Sequence, residues 1–252
     1  MKMNTKKVLK IKFSLLAAAL AATLILAGCE EASEEEPEPD ENGVEEENGA
    51  EQLEDGTYTA VSEADERGYA EAEVTIADGE ITEVSLKEYD DLGEQKDEDY
   101  GYDVWHEAME ELPERFVEAN SADIDVYTDA TSTSEKSMDA VDKALQRAEG
   151  YTDTFDGTFM GASEVGEQGY VGIALVTLQN GEITEVDLGE ADEEGEFKDE
   201  DYDYEPWVEA AEEMPERFVE ADSPEVDVYT DATSSSEKWK EAVERAIEKA
   251  EQ

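Results

Sequence analysis

The sequence predicts an α+β protein built from two tandem domains, each an antiparallel sheet followed by helices. Three observations carry this reading. The octapeptide Asp125-Val126-Tyr127-Thr128-Asp129-Ala130-Thr131-Ser132 returns letter for letter from Asp227 to Ser234, an offset of 102 residues. In each copy, alternating polar and apolar residues flank Asp78-Gly79 or Asn180-Gly181, which are hairpin-turn dipeptides. Further along each copy, apolar residues recur at helical spacing. A period this long marks a whole domain, because solenoid repeats run to only about 20–50 residues. A copy of about 100 residues is near the commonest domain size and can bury a core of its own.

Residues 1–28 read as an export leader. Lys2, Lys6, Lys7, Lys10 and Lys12 lead into an apolar run that continues to Leu26. It ends Leu26-Ala27-Gly28-Cys29, which resembles the bacterial lipobox. That resemblance implies that the leader is removed and Cys29 is lipidated, fixing the chain to the extracytoplasmic face of the cell membrane. Two or more acyl chains at one residue anchor stably where a single chain would not. The alternative for this stretch is an uncleaved membrane helix. Residues 29–52 are rich in Glu, Pro, Gly and Asn without Lys or Arg, so they read as an extended acidic linker.

The first domain is placed at residues 53–150. It opens with a turn into a strand at Leu53 to Val61, followed by alternation from Tyr69 to Ala77 and from Ile81 to Glu88. Trp105, Ala108, Met109 and Leu112 then mark a helix, as do Trp207, Ala211 and Met214 in the second domain, residues 151–252. Pro113 and Pro215 are expected to end that helix and start a second one carrying Phe116 and Val117, or Phe218 and Val219. The acidic run Asp97 to Asp103 lacks the glycine and closing glutamate of a calcium loop, and it reads as a solvated loop.

Composition excludes several classes of function. Of 252 residues, 73 are acidic and 18 are Lys or Arg, a formal charge of −55. Nucleic acid is a poor partner for such a surface, since phosphate backbones require clustered cations. The charge reads as an evenly solvated surface suited to a salty, halophilic setting, in preference to a magnet for one cationic partner. Cys29 is the sole cysteine, which leaves no thiolate site once it is lipidated. His106, the sole histidine, falls beside Trp105 on the expected helix and reads as a partly exposed, non-catalytic residue, which argues against a Ser-His-Asp triad or a His-rich metal site.

After each octapeptide comes an amphipathic helix bearing Met138, Val141, Ala144 and Leu145, or Trp239, Val243, Ala246 and Ile247. Ser132 with Glu135, and Ser234 with Glu237, fit the capping-box spacing, which places the Thr/Ser run at a helix N-terminus. Free amides and the positive end of the helix dipole favour a phosphate there. The other reading is that the run only caps the helix. Retention of all eight letters favours a ligand, because caps tolerate many sequences.

Both halves resemble the FMN-binding domain of the C subunit of sodium-pumping NADH:quinone oxidoreductase, of the Rnf G subunit, and of flavinylated lipoproteins of extracellular electron transfer. The likeness rests on the opening Asp-Gly-Thr, the hairpin followed by Glu-Ile-Thr-Glu-Val, and the closing motif. In the family that motif is Asp-x-x-Ser/Thr-Gly-Ala-Thr/Ser, and its last residue is esterified to the FMN phosphate by a flavin transferase. The resemblance implies Thr131 as acceptor with Asp125, Thr128 and Ala130, and Thr233 as acceptor with Asp227, Thr230 and Ala232. The family glycine is replaced by Asp129 and Asp231. Glycine at that place implies a close backbone approach or a positive φ, which aspartate tolerates better than most residues.

The implied function is a membrane-anchored carrier with two covalent FMN groups, relaying electrons from a membrane NADH or quinone dehydrogenase, or the quinol pool, to extracellular acceptors. Such a chain is an electron-transfer flavoprotein more than an enzyme with its own substrate pocket. The competing readings are a surface-binding lipoprotein without flavin and the electron-entry subunit of an extracellular reductase.

Overall fold

The computed structural model describes residues 53–252. The leader, Cys29 and the acidic linker lie outside the described residues.

Each repeat begins with a three-stranded antiparallel meander. In the first, β1 (Gly56–Val61), β2 (Tyr69–Ala77) and β3 (Glu80–Tyr89) are hydrogen-bonded in the order β1-β2-β3. The hairpin turns at Asp78 and Gly79, with φ of 56° and 76°. Positive φ at both central residues is the signature of the type I′ turn, whose twist matches that of the strands. Alternate β2 residues Ala72, Val74 and Ile76 are buried, so one sheet face is apolar and receives the helices.

That face is covered by α1 (Asp103–Ala119), which packs on β3, and α2 (Thr131–Ala148), which crosses β1 and β2. The expected break at Pro113 does not occur, because α1 runs straight through it. Trp105, Ala108, Leu112 and Phe116 form one buried stripe on both sides of the proline, and ending the helix there would lift Phe116 out of the core. Pro113 itself is only half-buried, and burial of the stripe outweighs the hydrogen bond that it forfeits. Helix α1 ends at Asn120 in the left-handed conformation, whose side-chain Oδ1 accepts a 2.7 Å hydrogen bond from the Ile81 amide. The helix end is thereby tied to the hairpin.

The second repeat follows the same plan with β4 (Gly157–Ala162), β5 (Tyr170–Gln179), β6 (Glu182–Asp192), α3 (Glu205–Ala221) and α4 (Thr233–Ala250). Asn180 and Gly181 make the equivalent turn, and Pro215 again lies inside the helix. Gly161 is needed because a Cβ there would collide with the Ala242 carbonyl of α4.

The repeats join through the open edge of β4. Its outward carbonyls at Thr158, Met160 and Ala162 accept hydrogen bonds from the Ala64 amide, Lys249 Nζ and Arg245 Nη1, each at 2.7 Å. Two cations and one backbone amide thus close an edge that would otherwise invite strand pairing. Lys249 Nζ also lies 4.0 Å from the centre of the Tyr69 ring, and Tyr69 stacks on Tyr89 at 4.6 Å. Val61 and Tyr69 of the first repeat belong to the core of the second.

Candidate functional site

The duplicated octapeptide forms a short extended run, a turn and the first turn of α2 or α4. Arg115 of α1 donates from Nη1 to the Asp125 carbonyl at 2.9 Å, while its guanidinium covers the Tyr127 ring at 5.2 Å and pairs with Glu111. The Ala130 amide donates to the Tyr127 carbonyl, which closes a turn with Thr128 and Asp129 at its centre. Asp129 has φ of 66° and Asp231 has φ of 63°. A positive φ only at the third residue is the pattern of a type II turn, and it accounts for glycine being the ordinary occupant. Aspartate is among the few side chains that adopt this conformation at modest cost.

Three further hydrogen bonds in each repeat fix the turn against the helices. Tyr102 donates its hydroxyl to the Asp129 carbonyl at 2.8 Å, and Tyr204 does the same to Asp231 at 2.7 Å. Ser134 Oγ accepts from the Tyr127 amide and donates to the Ala130 carbonyl, both at 2.9 Å, and Ser236 repeats this with Tyr229 and Ala232. The fourth residue of the Thr/Ser run is therefore a buried staple. Tyr127 donates to Glu107 and Tyr229 to Glu209, and these carboxylates raise the phenols above their ordinary range.

The expected capping box is not formed. The N-caps are Ala130 and Ala232, and neither helix start is capped by a side chain. An alanine holds this place because its small side chain tucks into the core, 5 % exposed in each repeat. The amides of the first turn of each helix are thus free of a side-chain cap, and an oxyanion is their natural partner.

Of the residues singled out from sequence, Thr131 and Thr233 are the first helical residues and are exposed. Thr128 and Thr230 are exposed in the turn, and Ala130 and Ala232 are buried beneath it. Asp125 and Asp227 are exposed, with their backbone carbonyls held by Arg115 and Arg217 at 2.9 Å. The structure so brings together an accessible hydroxyl, uncapped amides and a rigid turn. This set suits a phosphate ester, with the exposed carboxylates of Asp129 and Asp231 as the opposing electrostatic element.

Sequence patterning did not single out the charged cluster behind the site. Glu190 is fully buried and accepts from Trp207 Nε1 at 2.6 Å, while Lys198 and Lys238 approach its other oxygen at 3.0 and 2.6 Å. Burial raises the Glu190 carboxyl, but hydrogen bonds from Lys238, Ser235 and Lys198 outweigh that and leave it below the usual range. Ser235 and Lys238 belong to the first turns of α4, so this carboxylate clamps the motif helix to the sheet. In the first repeat Glu88 is paired with Lys96 and Trp105, whereas Lys136 turns away to Asp65. The signal available was recurrence at the 102-residue offset, which Glu88, Lys96 and Trp105 all share. His106, half-buried, lies edge-on against Trp105 and bonds the Tyr100 carbonyl.

The sequence model of the FMN-binding domain family matches this chain twice, over residues 67–146 and 168–248. The chain belongs to the FMN-binding domain family. Both matches end in the motif helices, so each FMN-binding repeat includes its Thr131 or Thr233 helix start. A curated Treponema pallidum protein, described as uncharacterized, is 35 % identical over 96 residues; the match covers 38 % of this chain and 24 % of that protein. This chain therefore spans about a quarter of that relative. Among solved structures, a Clostridium perfringens protein is 30 % identical over 39 % of this chain and 90 % of its own, with a TM-score of 0.34. A Clostridium thermocellum protein solved by NMR is also 30 % identical, over 38 % and 93 %, with a TM-score of 0.29. The two repeats make this a flavin-binding protein, and the flavin supplies one- and two-electron transfer when bound.

Proposed function

We propose that the protein is a membrane-anchored, extracytoplasmic electron carrier with two FMN groups held as phosphodiesters on Thr131 and Thr233. The observation that carries this reading is the repeated placement of an exposed threonine hydroxyl at the first residue of a helix without a side-chain cap. The threonine provides the bond, and the free amides and helix dipole favour the charge on the phosphate. Attachment by a flavin transferase keeps the cofactor from dissociating into the medium. Removal of the leader would leave a lipidated Cys29 as the anchor, and the acidic linker, if fully extended, would reach up to roughly 80 Å from the membrane. Electrons enter from a membrane dehydrogenase or the quinol pool and leave to extracellular acceptors.

Thr131→Ala and Thr233→Ala are each expected to remove one flavin mass increment, and the double variant both. A double variant that still carries covalent flavin would place the attachment elsewhere.

A further inference from the structure

The motif is surrounded by aromatic residues, and most already have a partner. In the first repeat, the Tyr100 ring meets the edge of Trp105 at 5.1 Å and carries Lys96 Nζ at 4.6 Å. The Tyr127 ring is covered by Arg115, and Trp105 is buried. The second repeat repeats this, with Lys198 over Tyr202 and Arg217 over Tyr229. Among the described residues, Tyr102 and Tyr204 are the motif-bound aromatic residues with neither a cation over the ring nor a neighbouring ring against it. They are 45 % and 48 % exposed.

Neither ring is free to drift. Tyr102 and Tyr204 are the N-cap residues of α1 and α3, which fixes their backbone, and their hydroxyls are bound to the turn, which fixes their tips. Each tip is bonded to the carbonyl two residues before the acceptor threonine, within about 7–8 Å of chain. Keeping a large apolar face open to water, in both copies, has a cost that burial elsewhere would avoid.

We propose that Tyr102 and Tyr204 are the stacking platforms for the isoalloxazine rings of flavins tethered at Thr131 and Thr233. An offset-stacked aromatic pair is stabilised beyond its area of contact, and a ring held at both ends loses little entropy in making it. The inference rests on the attachment reading above, and it assigns the residue that orients the ring. A tyrosine serving only to lock the turn would use its hydroxyl and leave its face idle.

The test uses the full chain with Thr233→Ala, loaded by a flavin transferase to leave one flavin, with loading confirmed by intact mass. Fluorescence per flavin and the visible circular dichroism of the flavin bands are then recorded. Stacking on a phenol quenches flavin emission, so emission is expected to rise several-fold on denaturation. Tyr102→Leu is expected to give a similar rise in the folded protein and to lose the visible dichroism. Tyr102→Phe, which preserves the ring and is the gentler change for folding, is expected to keep the dichroism while losing the electron-rich quencher. Emission and dichroism indifferent to both substitutions would overturn the inference while leaving the attachment intact. A chain with no flavin adduct would overturn the attachment reading and this inference with it.

Discussion

At the scale of single residues, Asp129 and Asp231 decide how well the site works. Each holds a left-handed conformation that glycine adopts freely, and each carries an exposed carboxylate two residues before the threonine proposed to hold the phosphate. Asp129→Gly removes both burdens, and it is expected to raise the rate of flavin attachment at Thr131 several-fold under low salt. Single-turnover labelling followed by mass spectrometry measures it, and an unchanged rate would mean that the carboxylate points away from the phosphate. The family glycine at that place implied either a close backbone approach or a positive φ, and the structure shows the second. The capping was not legible in the sequence. Ser132 and Glu135 have the right spacing, but the spacing cannot reveal that Ala130, one turn boundary earlier, is the N-cap and that Ser134 is taken by the Tyr127 amide. The roles of Tyr102 and Glu88 were not legible for the same reason: both recur at the 102-residue offset, but their partners lie across the fold, 27 and 17 residues away in sequence.

At the scale of elements, the strands were legible because one buried sheet face imposes a period of two along β2 from Ala72 to Ile76, and because both hairpin turns require Asp-Gly or Asn-Gly. The helices were legible in position but not in continuity. Proline is a reliable local signal against a helix interior, yet α1 and α3 keep it because the buried stripe continues through Phe116 or Phe218. Pro113→Ala restores one backbone hydrogen bond and relieves the ring clash, against a smaller gain of unfolded-chain entropy. It is expected to stabilise the protein by about 1–2 kcal/mol. A lower melting temperature in that variant would show that the pyrrolidine ring contributes packing that outweighs the lost hydrogen bond.

At the scale of the molecule, the seam between repeats and the surface charge set the response to conditions. Burial pulls the Lys249 ammonium down to about 8. A lysine in the unfolded chain keeps its proton to about pH 10.4. Between those values the unfolded state binds more protons, so stability is expected to rise with pH from about 8. Burial also raises the Tyr69 phenol, so above roughly pH 10, where an unfolded tyrosine ionises first, stability falls again. Lys249→Met should flatten the rise, as read by denaturant melts from pH 7 to 10. The formal charge of −55 is unscreened at low ionic strength, and the melting temperature is expected to climb with added salt. A midpoint indifferent to salt would remove the reading of the acidic surface as an adaptation to a salty medium. The central claim, two flavins fixed to two threonines, is tested most directly by intact mass and visible spectrum. The chain is exported together with a flavin transferase from the same source, then denatured to strip any loose ligand. The account predicts two FMN mass increments and a flavin spectrum that survives denaturation. An unmodified mass would contradict it.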